Sequence, residues 1–128
     1  MQALVVDDSR AVRMMLSRML RDAGFDSCLE AGDGLEALER LDETPDLPAV
    51  MLVDWNMPNM NGLELIRAVR SNADRRDLPI VMVTTESEMT QMVKALAAGA
   101  NEYVMKPFTK DVILDKLDLL GIRATPAA

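Results

Sequence analysis

Four continuous apolar runs, ALVV (3–6), AVMLV (49–53), IVMV (80–83) and YVM (103–105), with a weaker one in FDSCLEA (25–31), constrain this chain more than any other feature in it. Continuous rather than alternating hydrophobicity predicts strands buried on both faces, as in a parallel sheet sandwiched by helices. Helical spacing fills the intervals: Val12, Met15, Leu16, Met19 and Leu20; Met89, Met92, Val93 and Leu96; Ile113, Leu117 and Leu120. Asp33 with Glu36 and Asn61 with Glu64 have capping-box spacing, Thr109 follows Pro107-Phe108 as a helix start, and Gly24, Gly99 and Gly121 stand where helices should stop. Five strand–helix units follow, an α/β domain over residues 1–121 with a short tail over 122–128. A chain of 128 residues suffices for one such domain with its own core. Most of the eleven methionines are expected to fill that core, and the single cysteine, Cys28, to be a small buried residue on a strand.

Charge and residue types narrow the chemistry. With 14 Lys and Arg against 21 Asp and Glu, the formal charge of −7 repels phosphate backbones, so no nucleic-acid partner is expected. There is no histidine, which removes Ser-His-Asp triads, imidazole bases, His-liganded zinc and phosphohistidine on this chain. One cysteine cannot form an internal disulfide, no apolar run approaches the roughly 20 residues of a membrane span, and MQALVVDDSR has no basic leader region. The expectation is a soluble cytoplasmic protein with no membrane partner, whose chemistry rests on carboxylates, hydroxyls and lysine.

Those groups fall at C-terminal strand ends: Asp7-Asp8 after the first strand, Asp54 after the third, Thr84-Thr85 after the fourth and Lys106-Pro107 after the fifth. Ligands of open α/β sheets bind beyond these ends, where strand order reverses. The common five-strand order 2-1-3-4-5 places strands 1, 3, 4 and 5 side by side, and only the edge strand 2 lacks a polar site residue. Three neighbouring carboxylates repel, so a shared divalent cation is the simplest resolution, and oxygen-only ligands favour Mg²⁺. Lys106 and Thr84 would serve the remaining oxygens of a phosphoryl group. Asp54, alone opposite them, is assigned as the nucleophile that accepts phosphate, with Asp7-Asp8 as a metal-holding pair. The plainer reading, in which Asp7-Asp8 cap a helix and Asp54 starts a turn, needs an independent coincidence at four strand ends.

VVDDS (5–9), LVDWNMPNMNG (52–62), VTTE (83–86) and YVMKPF (103–108) together resemble the response-regulator receiver domain, closest to its chemotaxis regulators. The resemblance covers nearly the whole chain. It implies a flavodoxin-like, doubly wound sheet of five parallel strands with five helices; the order 2-1-3-4-5 is the one this family is known for, so it agrees with a known case rather than standing as an independent prediction. It further implies that Asp8, Asp54 and the backbone carbonyl of Asn56 bind Mg²⁺, that Asp7 orients the metal through water, and that a histidine kinase phosphorylates Asp54. Thr84 would then hydrogen-bond the phosphoryl group, Lys106 would pair with it, and Tyr103 would be the aromatic that turns inward as Thr84 moves. Asn56 and Glu86 would modulate acyl-phosphate lifetime, and the Lys106-Pro107 bond would be cis. Thr85, larger than the family's usual residue, would narrow access to Asp54, and Ser9 replaces an aromatic of enteric chemotaxis regulators.

The implied activity is self-phosphorylation and slow dephosphorylation, not metabolic turnover. The output face would be helix four, strand five and helix five, about residues 87–120. Expected partners are the kinase, a downstream protein such as a flagellar motor switch protein, and a phosphatase, with the chain a monomer or a phosphorylation-dependent dimer. Competing readings fit less well. Other phosphorelays employ the same module. GDGLEA (32–37) matches a dinucleotide-binding turn, yet Asp33 would oppose pyrophosphate. A Mg²⁺-dependent aspartyl phosphohydrolase commonly shows D-x-D after strand one, where this chain has an adjacent pair. A phosphorylation-independent binding module would leave the acidic site unexplained.

Overall fold

The computed structural model describes residues 1–85 and 90–123. Five parallel strands, β1 (Gln2–Val6), β2 (Ser27–Ala31), β3 (Val50–Asp54), β4 (Ile80–Thr84) and β5 (Glu102–Met105), lie in the order β2-β1-β3-β4-β5. The helices are α1 (Arg10–Asp22), α2 (Gly34–Glu43), α3 (Gly62–Arg70), α4 (Met92–Ala98) and α5 (Lys110–Leu119), and a 3₁₀ turn at Ala73–Arg75 was not anticipated from the sequence. The apolar runs are strands because both pleat faces are covered. Leu4, Val6, Met51, Val53, Ile80 and Met82 pack under α2, α3 and α4, whereas their neighbours Ala3, Val5, Val50, Leu52, Val81 and Val83 pack against α1 and α5.

Helix starts follow the expected chemistry. Asp33 caps α2 by accepting from Glu36 N, Asn61 and Glu64 form a reciprocal capping box on α3, and Thr109 caps α5. Gly24, Gly99 and Gly121 take positive φ at helix ends. At the end of α3, Arg70 donates to the carbonyl of Gly99 at 3.1 and 2.9 Å, to that of Arg75 at 2.8 Å and to Asn101 Oδ1 at 2.9 Å, stapling α3 to the end of α4.

Two expectations about packing fail. Met15 is exposed because α1 buries Leu16, Ser17 and Leu20 instead, and α4 is so short that only Met92 and Ala95 reach the core, leaving Val93 and Leu96 in solvent. Among the described methionines, Met51, Met82 and Met92 are buried and Met57 and Met60 pack against the core, whereas Met1, Met14 and Met15 are exposed. Cys28 is half-buried rather than buried. Met89, expected in the fourth helix, and the tail beyond residue 123 lie outside the described residues.

Candidate functional site

Strand order brings the predicted polar residues to one edge of the sheet. Asp7 directly follows β1, and its amide donates to the Ala31 carbonyl at 3.0 Å, extending the pairing with β2. Its side chain is buried and hydrogen-bonded at both oxygens: Ser9 N donates to Asp7 Oδ1 at 2.8 Å, an Asx turn, and Lys106 Nζ to Oδ2 at 3.4 Å. The Asp7 carbonyl accepts from Arg13 Nη1 at 2.7 Å, and Arg13 also pairs with Glu30 at 3.1 Å. Asp8 is exposed at the rim. Asp54 closes β3 with only 7% of its surface accessible. Its Oδ1 accepts from the Trp55 amide at 2.9 Å and from Lys106 Nζ at 3.1 Å.

Gly62 lets α3 approach this point, since a Cβ there would lie 2.5 Å from the Asp54 carbonyl oxygen. Lys106 directly follows β5, its amide donates to the Thr84 carbonyl at 2.6 Å, and the Lys106-Pro107 bond is cis as expected. Thr84 is fully buried at the end of β4, and its hydroxyl donates to the Thr85 carbonyl at 3.3 Å.

Electrostatics mark Asp54 as the frustrated member. Burial and the neighbouring Asp7 charge outweigh Lys106 and the Trp55 amide, and push the Asp54 pKa up to about 6. Burial works against the Lys106 ammonium, but Asp54 and Asp7 more than compensate and raise its pKa. The two buried carboxylates, Asp7 and Asp54, therefore share one ammonium, with the Asp8 carboxylate beside them at the rim. Oxygens of Asp7, Asp8 and Asp54 lie within 4.8 Å of one another, a hard, anionic, all-oxygen donor set that fits Mg²⁺. What this arrangement can do is hold a divalent cation on the acidic side and receive an anionic group between it and Lys106.

The structure thus gathers Asp7, Asp8, Asp54, Thr84 and Lys106. Asn56 is exposed two residues beyond Asp54 on the β3–α3 loop, and Thr85 is half-buried beside Thr84. Tyr103 is part-buried on β5, opposite Met82 in register, with Lys116 Nζ 4.8 Å from its ring centre. Glu86 lies outside the described residues. Ser9 and Arg13 had escaped the sequence reading as supports of Asp7. The Asp-x-Ser spacing is a legible turn signal for the first. Nothing local signals the second, which needs β1, α1 and β2 in place.

Comparison with known proteins agrees with this geometry. A family model described as the response regulator receiver domain matches residues 3–118. Chemotaxis protein CheY1 of Helicobacter pylori is 44% identical over 120 residues, covering 94% of this chain and 96% of the relative. A chemotaxis protein CheY homolog of Campylobacter jejuni is 47% identical over 122 residues, covering 94% and 93%. The structure of chemotaxis response regulator CheY4 of Vibrio cholerae superposes with a TM-score of 0.84 at 36% identity, covering 93% of this chain and 97% of that one.

Proposed function

The chain belongs to the response regulator receiver domain family, and from that premise we propose that it is a stand-alone chemotaxis switch phosphorylated on Asp54 by a histidine kinase. The observation that carries this reading is the Asp54 carboxylate, buried at a strand end, 3.1 Å from Lys106 and clustered with Asp7 and Asp8. A carboxylate oxygen of Asp54 attacks the phosphorus of a phosphohistidine, the P–N bond breaks, the imidazole leaves with its electron pair, and an acyl phosphate forms. Slow attack of water on that phosphorus returns the carboxylate and inorganic phosphate.

Asp8, Asp54 and the carbonyl of Asn56 would hold Mg²⁺, with Asp7 orienting it through water; the cation supplies charge neutralisation for the transferred group. Lys106 exchanges its contact with Asp54 for one with the phosphoryl oxygens. Phosphorylation adds roughly −1.5 to −2 charges beside Lys106 and Thr84. The Thr84 hydroxyl then leaves the Thr85 carbonyl for the phosphoryl group, and Tyr103 turns inward into the space it frees. Residues 1–121 form the receiver and 122–128 a tail. Signalling passes through α4, β5 and α5 to a downstream protein, for which a flagellar motor switch protein is our reading given relatives named as chemotaxis proteins, with a phosphatase resetting the switch in the cytoplasm.

Intact-mass measurement after incubation with Mg²⁺ and acetyl phosphate tests the reading. One phosphoryl adduct is expected, absent with chelator and absent in Asp54→Asn; an adduct that survives Asp54→Asn unchanged would refute the assignment.

A further inference from the structure

The GDGLEA stretch, which the dinucleotide reading cannot use and the switch has not absorbed, meets the β3–α3 loop. Asp33 spends its two carboxylate oxygens on different elements: Oδ1 accepts from Glu36 N at 2.8 Å and caps α2, while Oδ2 accepts from Asn59 Nδ2 at 2.7 Å. One residue on, Gly34 N donates to the Met60 carbonyl at 3.1 Å. That approach requires a glycine, because a Cβ on Gly34 would lie 2.5 to 2.8 Å from the Met60 side chain. Asn59 itself sits at φ 64, the left-handed region that asparagine tolerates better than most residues. Two amide acceptances, from Glu36 and then Asn59, hold the Asp33 carboxyl below its ordinary pKa, so the clasp is ionic on one side.

The loop it seizes also packs Met57 and Met60 against the core. It is closed at its base by Gly62 N donating to the Trp55 carbonyl at 2.9 Å, and folded at its tip by Met60 N donating to Pro58 at 2.6 Å. Between base and tip lies Asn56, whose backbone carbonyl is the metal ligand in the reading above. A backbone ligand cannot be oriented by its own side chain, so its position depends on where the loop is held.

We propose that Asp33 and Asn59 are positioning residues for the metal site: their clasp, from the start of α2, fixes the β3–α3 loop so that the Asn56 carbonyl completes the site with Asp8 and Asp54. This rests on the receiver reading of those ligands. Groups that orient a metal ligand typically change affinity by roughly 10- to 100-fold when removed, and the lower end suits a hold acting through three residues of loop.

Mg²⁺ titration followed by Trp55 fluorescence tests it, with Asp33→Ser, Asn59→Gly and the double variant. Serine still caps α2 but has no second oxygen for Asn59, and glycine accepts the left-handed backbone but removes the amide. Each single variant is expected to weaken Mg²⁺ binding roughly tenfold, and the double variant no further, because both remove one interaction. A merely structural role would lower the melting temperature of the Mg²⁺-free protein and leave the Mg²⁺ midpoint in place, and that result overturns the proposal. So do fully additive effects in the double variant. Asp8→Asn separates the two levels of inference. If it abolishes the Mg²⁺ response while the clasp variants titrate like the parent, the clasp alone is wrong; if it too titrates like the parent, the metal placement and the clasp's part in it fall together.

Discussion

At the residue scale the site is built around a carboxylate whose charge the fold disfavours. The pKa of Asp54 rises from 3.8 to about 6 on folding, so the folded protein holds this proton more tightly than the unfolded chain. The stabilisation is fully present below about pH 4 and lost as pH rises through about 6, which leaves the ionised metal-free protein less stable by about 3 kcal/mol than an unperturbed carboxylate would. Asp54→Asn, nearly isosteric and unable to ionise, should therefore stabilise the metal-free protein by about 1–3 kcal/mol at pH 7, with the gain fading toward pH 4. Urea melts in chelator across that range check it, and an equal or larger gain at pH 4 contradicts the assigned sign. That Asp7, Asp8, Asp54, Thr84 and Lys106 come together could be read from the sequence because each ends a strand or follows within two residues of its end. Supports such as Arg13 on the Asp7 carbonyl could not, since the donor meets its acceptor only after the sheet and α1 are assembled.

At the scale of elements, strands and caps were legible because their signals are local. The runs at 3–6, 49–53, 80–83 and 103–105 lie within one residue of β1, β3, β4 and β5, and Asn61 caps α3 as its spacing with Glu64 suggested. Which apolar residues on a helix face the core depends on neighbours instead, and hence Met15, Val93 and Leu96 were misplaced. Asn61→Ala should cost about 1 kcal/mol through loss of the α3 cap, measured as a lowered urea midpoint at unchanged slope. The staple from Arg70 makes a sharper case. Arg70→Met keeps the aliphatic stem but strips donors from the carbonyls of Gly99 and Arg75, and should cost about 1–3 kcal/mol. Amide hydrogen exchange should quicken in α4 more than in α1 or α2; uniform acceleration would mean that the staple does not hold α4 in particular.

At the scale of the whole molecule, an acidic chain of charge −7 concentrates its most crowded carboxylates at one sheet edge and balances them with one lysine. On the function proposed above, that imbalance would make the fold responsive to two opposite charges, a cation that relieves the crowding and a phosphoryl group that Lys106 and Thr84 would answer. Any ligand that binds the folded form alone raises stability in proportion to the logarithm of its concentration above Kd. Added Mg²⁺ should accordingly raise the melting temperature of the parent but not of Asp8→Asn, and a rise common to both would point to nonspecific screening. The central claim is that Asp54, and no other carboxylate, becomes an acyl phosphate. Borohydride reduction of protein treated with Mg²⁺ and acetyl phosphate, followed by tandem mass spectrometry, reads the position directly: homoserine at residue 54 is the result expected, and homoserine at residue 7 or 8, or none at 54, would contradict it.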